Sequence, residues 1–395
     1  MRRSLDLALI VAAAALANFV YLYCSDGDYF YPDSITYLGP AKMLLSGHGF
    51  SIEPGIPDLL RTPVYPLFLA AFGTHVLPVI VFQHLLNVAL AVAIYFFTLR
   101  QGRFAAVAAA LIFAVDPPSI HYANKVLTET LFTVLLFVVF VLAERAPVIT
   151  GLLTGILVIT RPVAIAYFVV LAILRGWRRA TALFVVAALA LPLGWAVRNQ
   201  IAGGAFTIST IGAGNLLEYR AAGAMAIADE GDFDQDLLTE QRDLLQEVDD
   251  LIVRNEHTDE VSEGVRVKYY RMLARRVILQ HPIAFALLTL RGLLVNIFDS
   301  DWDAIMIVSR LESRTIQIAL DVFVALVFAL AVLGVIALWR RDRPLALLIA
   351  GTVGYFLFIS AGGEAEARFR VPVVPQIAIA AACGLQVLKN KACAP

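Results

Sequence analysis

The chain has 395 residues, of which 60% are hydrophobic and only 16% charged, against about half apolar and a quarter charged in soluble domains. A mean hydropathy of +0.77 excludes a water-soluble enzyme and a disordered chain. A net charge of −1, from 31 basic and 32 acidic residues, excludes the basic field of a nucleic-acid binder.

The first apolar run, 5–23, follows Arg2 and Arg3. No small-residue cleavage site precedes a soluble domain, so it is expected to be retained as a membrane span. Further spans are predicted at 76–99, 104–115, 126–143, 147–160, 163–174, 180–197, 315–339, 344–360 and 371–388. That makes about ten, several shorter than the ~20 residues that cross 30 Å of hydrocarbon. Ten crossings place Arg2/Arg3, Arg100/Arg103, Arg145, Arg175/Arg178/Arg179, Arg340/Arg341/Arg343 and Lys389/Lys391 on one side, which the positive-inside rule makes cytoplasmic. Both termini then lie inside. Residues 283–298 carry Arg291 and are read as a re-entrant or interface-lying helix.

The fold expected is thus all-α and polytopic, one membrane domain over 1–395. Two outside loops stand out, 24–75 and 198–282. In the first, Asp33 or Ser34 can cap a helix whose apolar stripe is interrupted at Gly39-Pro40. Arg61-Thr62-Pro63 opens a second short helix ending near Phe72. In the second loop, fourteen acids and two bases between 229 and 263 accompany leucines at helical spacing. The next stretch, 265–277, is basic and reads as an interface helix on anionic headgroups, or as an acceptor-docking surface. His121, Tyr122 and Lys125 fall in a short outside loop at 116–125. Cys24, Cys383 and Cys393 are scattered and form neither a disulfide framework nor a metal spacing.

Several pieces carry chemistry-bearing residues in a recognisable order. They are Asp33-Ser34-Ile35-Thr36-Tyr37, Arg61-Thr62-Pro63-Val64-Tyr65-Pro66 and Thr128-Glu129-Thr130-Leu131-Phe132. Pro192 to Asn199, Gly214-Asn215-Leu216 and Glu366-Ala367-Arg368-Phe369-Arg370 follow. Each is short, but together they cover most of the chain. The set resembles the GT-C superfamily of membrane glycosyltransferases, in the bacterial branch of protein O-mannosyltransferases and lipid A aminoarabinose transferases. One departure is the single acid Asp33, where some members carry two adjacent acids.

The resemblance implies a bundle of transmembrane helices with periplasmic interface helices in the bacterial inner membrane. It implies inverting transfer of a sugar from a polyprenyl-phosphate donor to an acceptor hydroxyl on an envelope glycan, lipid or protein. Asp33 matches the catalytic position, and a carboxylate there can take the acceptor's proton. The alternative for Asp33 is a plain helix cap. Arginine forks suit the departing phosphate, and Arg61, Arg198, Arg368 and Arg370 stand outside beside span ends, as does Arg161 in a turn. Tyr37, Tyr65, Glu129, Asn199 and Glu366 complete the expected donor site. Glu129 stands out as an acid in an apolar span. Asp6 is read as a trivial neighbour of Arg2 and Arg3. Asp33, Asp116 and Glu129 are a thin set for a divalent cation, so no obligatory metal and no cofactor are expected. The competing readings are a lipid-linked oligosaccharide polymerase or ligase, a lipid or sugar transporter or flippase, and a scaffold without chemistry.

Overall fold

A computed structural model describes residues 2–229, 231–258, 261–302, 305–306 and 313–392. Cys393 lies outside the described residues. The chain is an all-α, multi-pass membrane protein. Among the described residues five helices are long and apolar enough to cross a bilayer, or seven when each of two bent pairs counts as one span. In hydrocarbon every backbone N–H and C=O must be bonded within the protein, so apolar runs of this length become helices.

Each of the ten predicted spans corresponds to a helix. In chain order the first part comprises α1 (Arg2–Cys24), α2 (Ser34–Leu45), α3 (Val64–Ala71), α4 (Val76–Thr98), α5 (Arg103–Ala114), α6 (Pro117–Ala123), α7 (Glu129–Val141), α8 (Pro147–Val158) and α9 (Tyr167–Arg175). There follow α10 (Arg179–Gly203), α11 (Ile211–Asn215), a π-helical stretch Leu216–Ala221, α12 (Ala222–Ala228), α13 (Phe233–Glu256), α14 (Glu263–Gln280) and α15 (Pro282–Phe298). The last spans are Arg314–Arg341, Arg343–Ile359 and the C-terminal helix Val374–Ala392, which a 3₁₀ turn Ala367–Val373 precedes. That C-terminal segment is the most enclosed of the long spans, while α1 keeps most of its surface on the outside of the bundle. Small residues permit its close contact with Arg314–Arg341. A Cβ on Gly334 would lie 1.8 Å from the Ala380 carbonyl oxygen, and one on Gly384 2.2 Å from that of Leu330.

Several spans are short for a physical reason. With 13 residues α7 rises only about 20 Å. It begins at Glu129, and α8 ends just before Thr160 and Arg161, at one end of the bundle where the polar site is built. Helix α5 is continued by α6 after a 52° bend. Asp116 makes that bend, its carboxylate accepting the Ser119 N–H at 3.0 Å.

The structure corrects four sequence expectations. Helix α2 runs unbroken through Gly39 and Pro40. The supposed loop 116–125 is largely the buried helix α6, where His121 Nδ1 meets the Tyr21 hydroxyl at 2.6 Å. Asp6 is not trivial: its carboxylate takes Arg103 Nε at 2.7 Å and Nη2 at 2.6 Å and the Tyr95 hydroxyl at 3.1 Å. The acidic and basic stretches of the long loop are two partners, since α13 and α14 pack over Leu244, Val248, Ile252, Leu273 and Val277. Beside them, α15 turns 100° from α14 at Pro282. Its Arg291 lies 3.8 Å from the centre of the Phe233 ring on α13, which answers the question of how an apolar helix accommodates it. The first loop also holds a two-stranded hairpin, β1 (Ser51–Glu53) with β2 (Ile56–Pro57).

Candidate active site

Asp33 occupies the residue before α2, yet its side chain makes no capping bond. The local turn is closed by Ser34, whose Oγ accepts the Tyr31 N–H at 2.8 Å. That frees the Asp33 carboxylate. Oδ1 accepts from Arg61 Nη2 at 2.7 Å and Oδ2 from Arg368 Nη1 at 3.0 Å. Burial alone would raise its pKa. The guanidinium groups of Arg368 and Arg61 outweigh burial and hold the carboxyl below the usual carboxylate range.

Each arginine is itself fixed. Arg61 Nε donates to Thr36 Oγ1 at 2.8 Å and Nη1 to the Tyr37 hydroxyl at 3.1 Å. The Asp58 carboxylate accepts the Arg61 N–H at 3.1 Å and shapes the turn. The next residue, Thr62, bonds through Oγ1 to the Thr160 carbonyl at 2.9 Å and ties the turn to the end of α8. Arg368 bridges two acids that are far apart in sequence, since its Nε donates to Glu129 Oε1. The same oxygen accepts from Arg161 Nη1 at 2.8 Å. Glu129 is fully buried, so only this double pairing makes its charge tolerable.

These residues wall a cavity of about 390 Å³. Of the residues singled out by sequence, Asp33, Tyr37, Arg61, Arg161, Glu366 and Arg368 line it. Glu129 stands behind Arg161 and Arg368. Glu366 Oε2 accepts the Tyr31 hydroxyl at 2.8 Å, and burial pushes its carboxyl up.

Four flagged residues serve the framework instead. The Tyr65 hydroxyl donates to Gln83 at 2.9 Å while its ring packs edge-on to Tyr37. Arg198 Nη1 donates to the Asp58 carbonyl at 2.6 Å, and Nη2 lies at 2.5 Å from that of Phe50. Asn199 Nδ2 donates to the Thr207 carbonyl at 2.8 Å. Arg370 donates to the carbonyls of Asn296 at 2.9 Å and Asp299 at 2.8 Å, closing the end of α15. Arg198 and Arg370 thus hold backbone carbonyls, and neither lines the cavity.

Two lining residues escaped the sequence reading. Arg220, in the π-helical stretch, reaches Glu364 Oε1 through Nε at 3.2 Å and Nη2 at 3.1 Å. It stands five residues beyond the Asn215 of a recognised motif, and Glu364 two residues before Glu366. A charged pair at that spacing from both motifs was the available signal. Among the described residues no group of three His, Cys, Asp or Glu side chains could hold a metal ion. Between Asp33 and Glu129 the bridging cation is the Arg368 guanidinium.

The arrangement can do two things. It keeps one carboxylate ionised at a cavity wall, and it surrounds that cavity with guanidinium groups able to take an anion. No protein-family model matches the chain, and neither does any curated protein. Among solved structures the chain is similar to ArnT from Cupriavidus metallidurans, in a crystal structure bound to undecaprenyl phosphate. The identity is 15% and the TM-score 0.43, over 94% of this chain and 78% of that one. A likeness at that level carries no argument about activity or ligand.

Proposed function

We propose that this chain is a GT-C-type membrane glycosyltransferase, acting at the outer face of a bacterial inner membrane on a polyprenyl-phosphate sugar. The observation that carries the reading is the Asp33 carboxylate, which follows the first span and lines a cavity shared with Arg61, Arg161, Arg220 and Arg368. A volume of about 390 Å³ suits a single sugar and its phosphate. Val163 and Ile165 line the same cavity, and Ile165 is 41% exposed, so an apolar opening is available to a lipid tail.

In this reading the acceptor hydroxyl oxygen attacks the anomeric carbon opposite the phosphate. The bond from carbon to phosphate oxygen breaks, and its electron pair leaves with the lipid phosphate. The hydroxyl proton passes to Asp33. Configuration inverts because attack and departure are in line. General-base help of this kind is worth about 10² to 10⁴ in rate.

The arginines divide the work by accessibility. Arg61 and Arg368 are 7% and 6% exposed and committed to Asp33, so they orient the base. Arg220 and Arg161, at 22% and 13%, are the better phosphate ligands. The test offers purified protein in nanodiscs a panel of polyprenyl-phosphate sugars with envelope extract as acceptor, and follows polyprenyl phosphate. Asp33→Asn should lose about 10² to 10⁴ in turnover while still folding. Equal turnover by the variant removes Asp33 from the mechanism. Release only from lipid-linked diphosphate oligosaccharides would turn the assignment to a polymerase or ligase.

A further inference from the structure

The end of the bundle opposite Asp33 is also polar. Helix α7 starts at Glu129, beside the cavity, and its 13 residues carry the chain about 20 Å away before Glu144 and Arg145. The helix Arg343–Ile359 makes the reverse journey over about 25 Å, from Arg343 to Ile359 on the cavity wall. At this far end lie two adjoining cavities of about 390 and 220 Å³. Arg100 and Arg145 line the larger, Arg175 and Arg343 the smaller, and Glu144 lies on the wall of both.

The charges at this end are unbalanced. Against four guanidinium groups stand Glu144 and Asp342. Asp342 is already occupied, accepting the Leu345 N–H at 3.2 Å and Gln101 Nε2 at 2.9 Å. Among the described residues neither Arg100 nor Arg145 forms a salt bridge; Arg100 rests 4.1 Å from the centre of the Phe97 ring. Arg175 donates through Nη2 to the Arg145 carbonyl at 3.2 Å, while its buried Nε has no partner. The rest of the lining is apolar. Phe96, on the wall of the larger cavity, is 55% exposed on the outer surface of α4, so that cavity reaches the face that meets lipid.

An aqueous anion would use only the arginines of such walls, whereas a phosphate attached to acyl chains matches both halves. We propose that this end of the bundle is a binding site for an anionic phospholipid, its phosphate held by Arg100 and Arg145 and its chains lying on Phe96, Phe97 and Val141. Basic pockets between spans take anionic headgroups by charge-assisted hydrogen bonds. The site is independent of the glycosyl-transfer reading and of every residue in it.

The test titrates purified protein with phosphatidylglycerol, phosphatidylcholine and chainless glycerol 3-phosphate, reading bound lipid by native mass spectrometry. Phosphatidylglycerol should bind at least about tenfold more tightly than either other probe, and Arg100→Gln/Arg145→Gln should remove that preference. Arg340→Gln/Arg341→Gln, exposed beside this end but outside both cavities, should leave it intact. Equal binding of phosphatidylcholine overturns the proposal, as does equal binding of glycerol phosphate. An equal loss in both double variants would reduce the effect to diffuse surface charge and overturn it too. The three-probe comparison on the unaltered protein decides the matter if a variant fails to fold.

Discussion

On the α13–α14 hairpin, Arg276 reaches Glu247 at 2.8 Å and Arg266 reaches Asp249 at 2.9 Å, with both partners of each pair open to water. Around Glu129 the same residue types meet at similar distances with almost no access to water. Water and side-chain entropy cancel most of the attraction in the first region, leaving a fraction of a kcal/mol per pair. In the second, desolvation costs as much as pairing returns, so the network adds little net stability. It adds geometry: with water kept out, Arg368 is held between Glu129 and Asp33. The hairpin's charges keep a surface wet, while the buried ones aim Asp33.

The largest effect should come from removing the hub. Glu129→Ala leaves Arg161 without its acid and Arg368 with Asp33 alone, and should cost about 3–5 kcal/mol in unfolding measured in detergent. A loss no greater than that of a hairpin variant would break the comparison. The next effect is on pH dependence. Asp33 has a lowered folded pKa, so its ionised form, and the stability it confers, is complete above the unfolded value near 3.9 and is lost only as pH falls through the folded one. In Arg61→Gln burial has less to oppose it, so the acid limb of turnover should move to higher pH; an unmoved limb would exclude Asp33 as the titrating base. The smallest effect belongs to Arg276→Ala, less than about 1 kcal/mol and smaller still in high salt. A larger, salt-independent loss would mean that the hairpin does more than stay wet.

How much of the site could be read beforehand follows the same division. Asp33, Tyr37, Arg61, Glu366 and Arg368 stand in the motifs that carry the family resemblance and Arg161 in a turn between spans, and they do share a cavity. That one guanidinium joins Asp33 to Glu129 was not visible, because Arg368 lies 335 residues from the first and 239 from the second. Arg198 and Arg370 looked equivalent to Arg61 by position and differ only in what folded against them. Asp6 was misjudged in the same way: it bonds Arg103, 97 residues on. Gly39-Pro40 misled locally, since a proline at that point removes one helix bond without ending a helix packed through Tyr37, Leu38 and Ala41.

By itself the sequence determined that this protein lives in a bilayer and where its apolar spans run, because an apolar backbone segment has no other way to satisfy its polar groups. It also determined that charge collects at the ends of those helices. Which arginine pairs with Asp33, which clamps a carbonyl and which stands at a cavity wall was decided only by tertiary structure. Arginine is the same long fork at every position, and its task is set by the partner that burial leaves within reach.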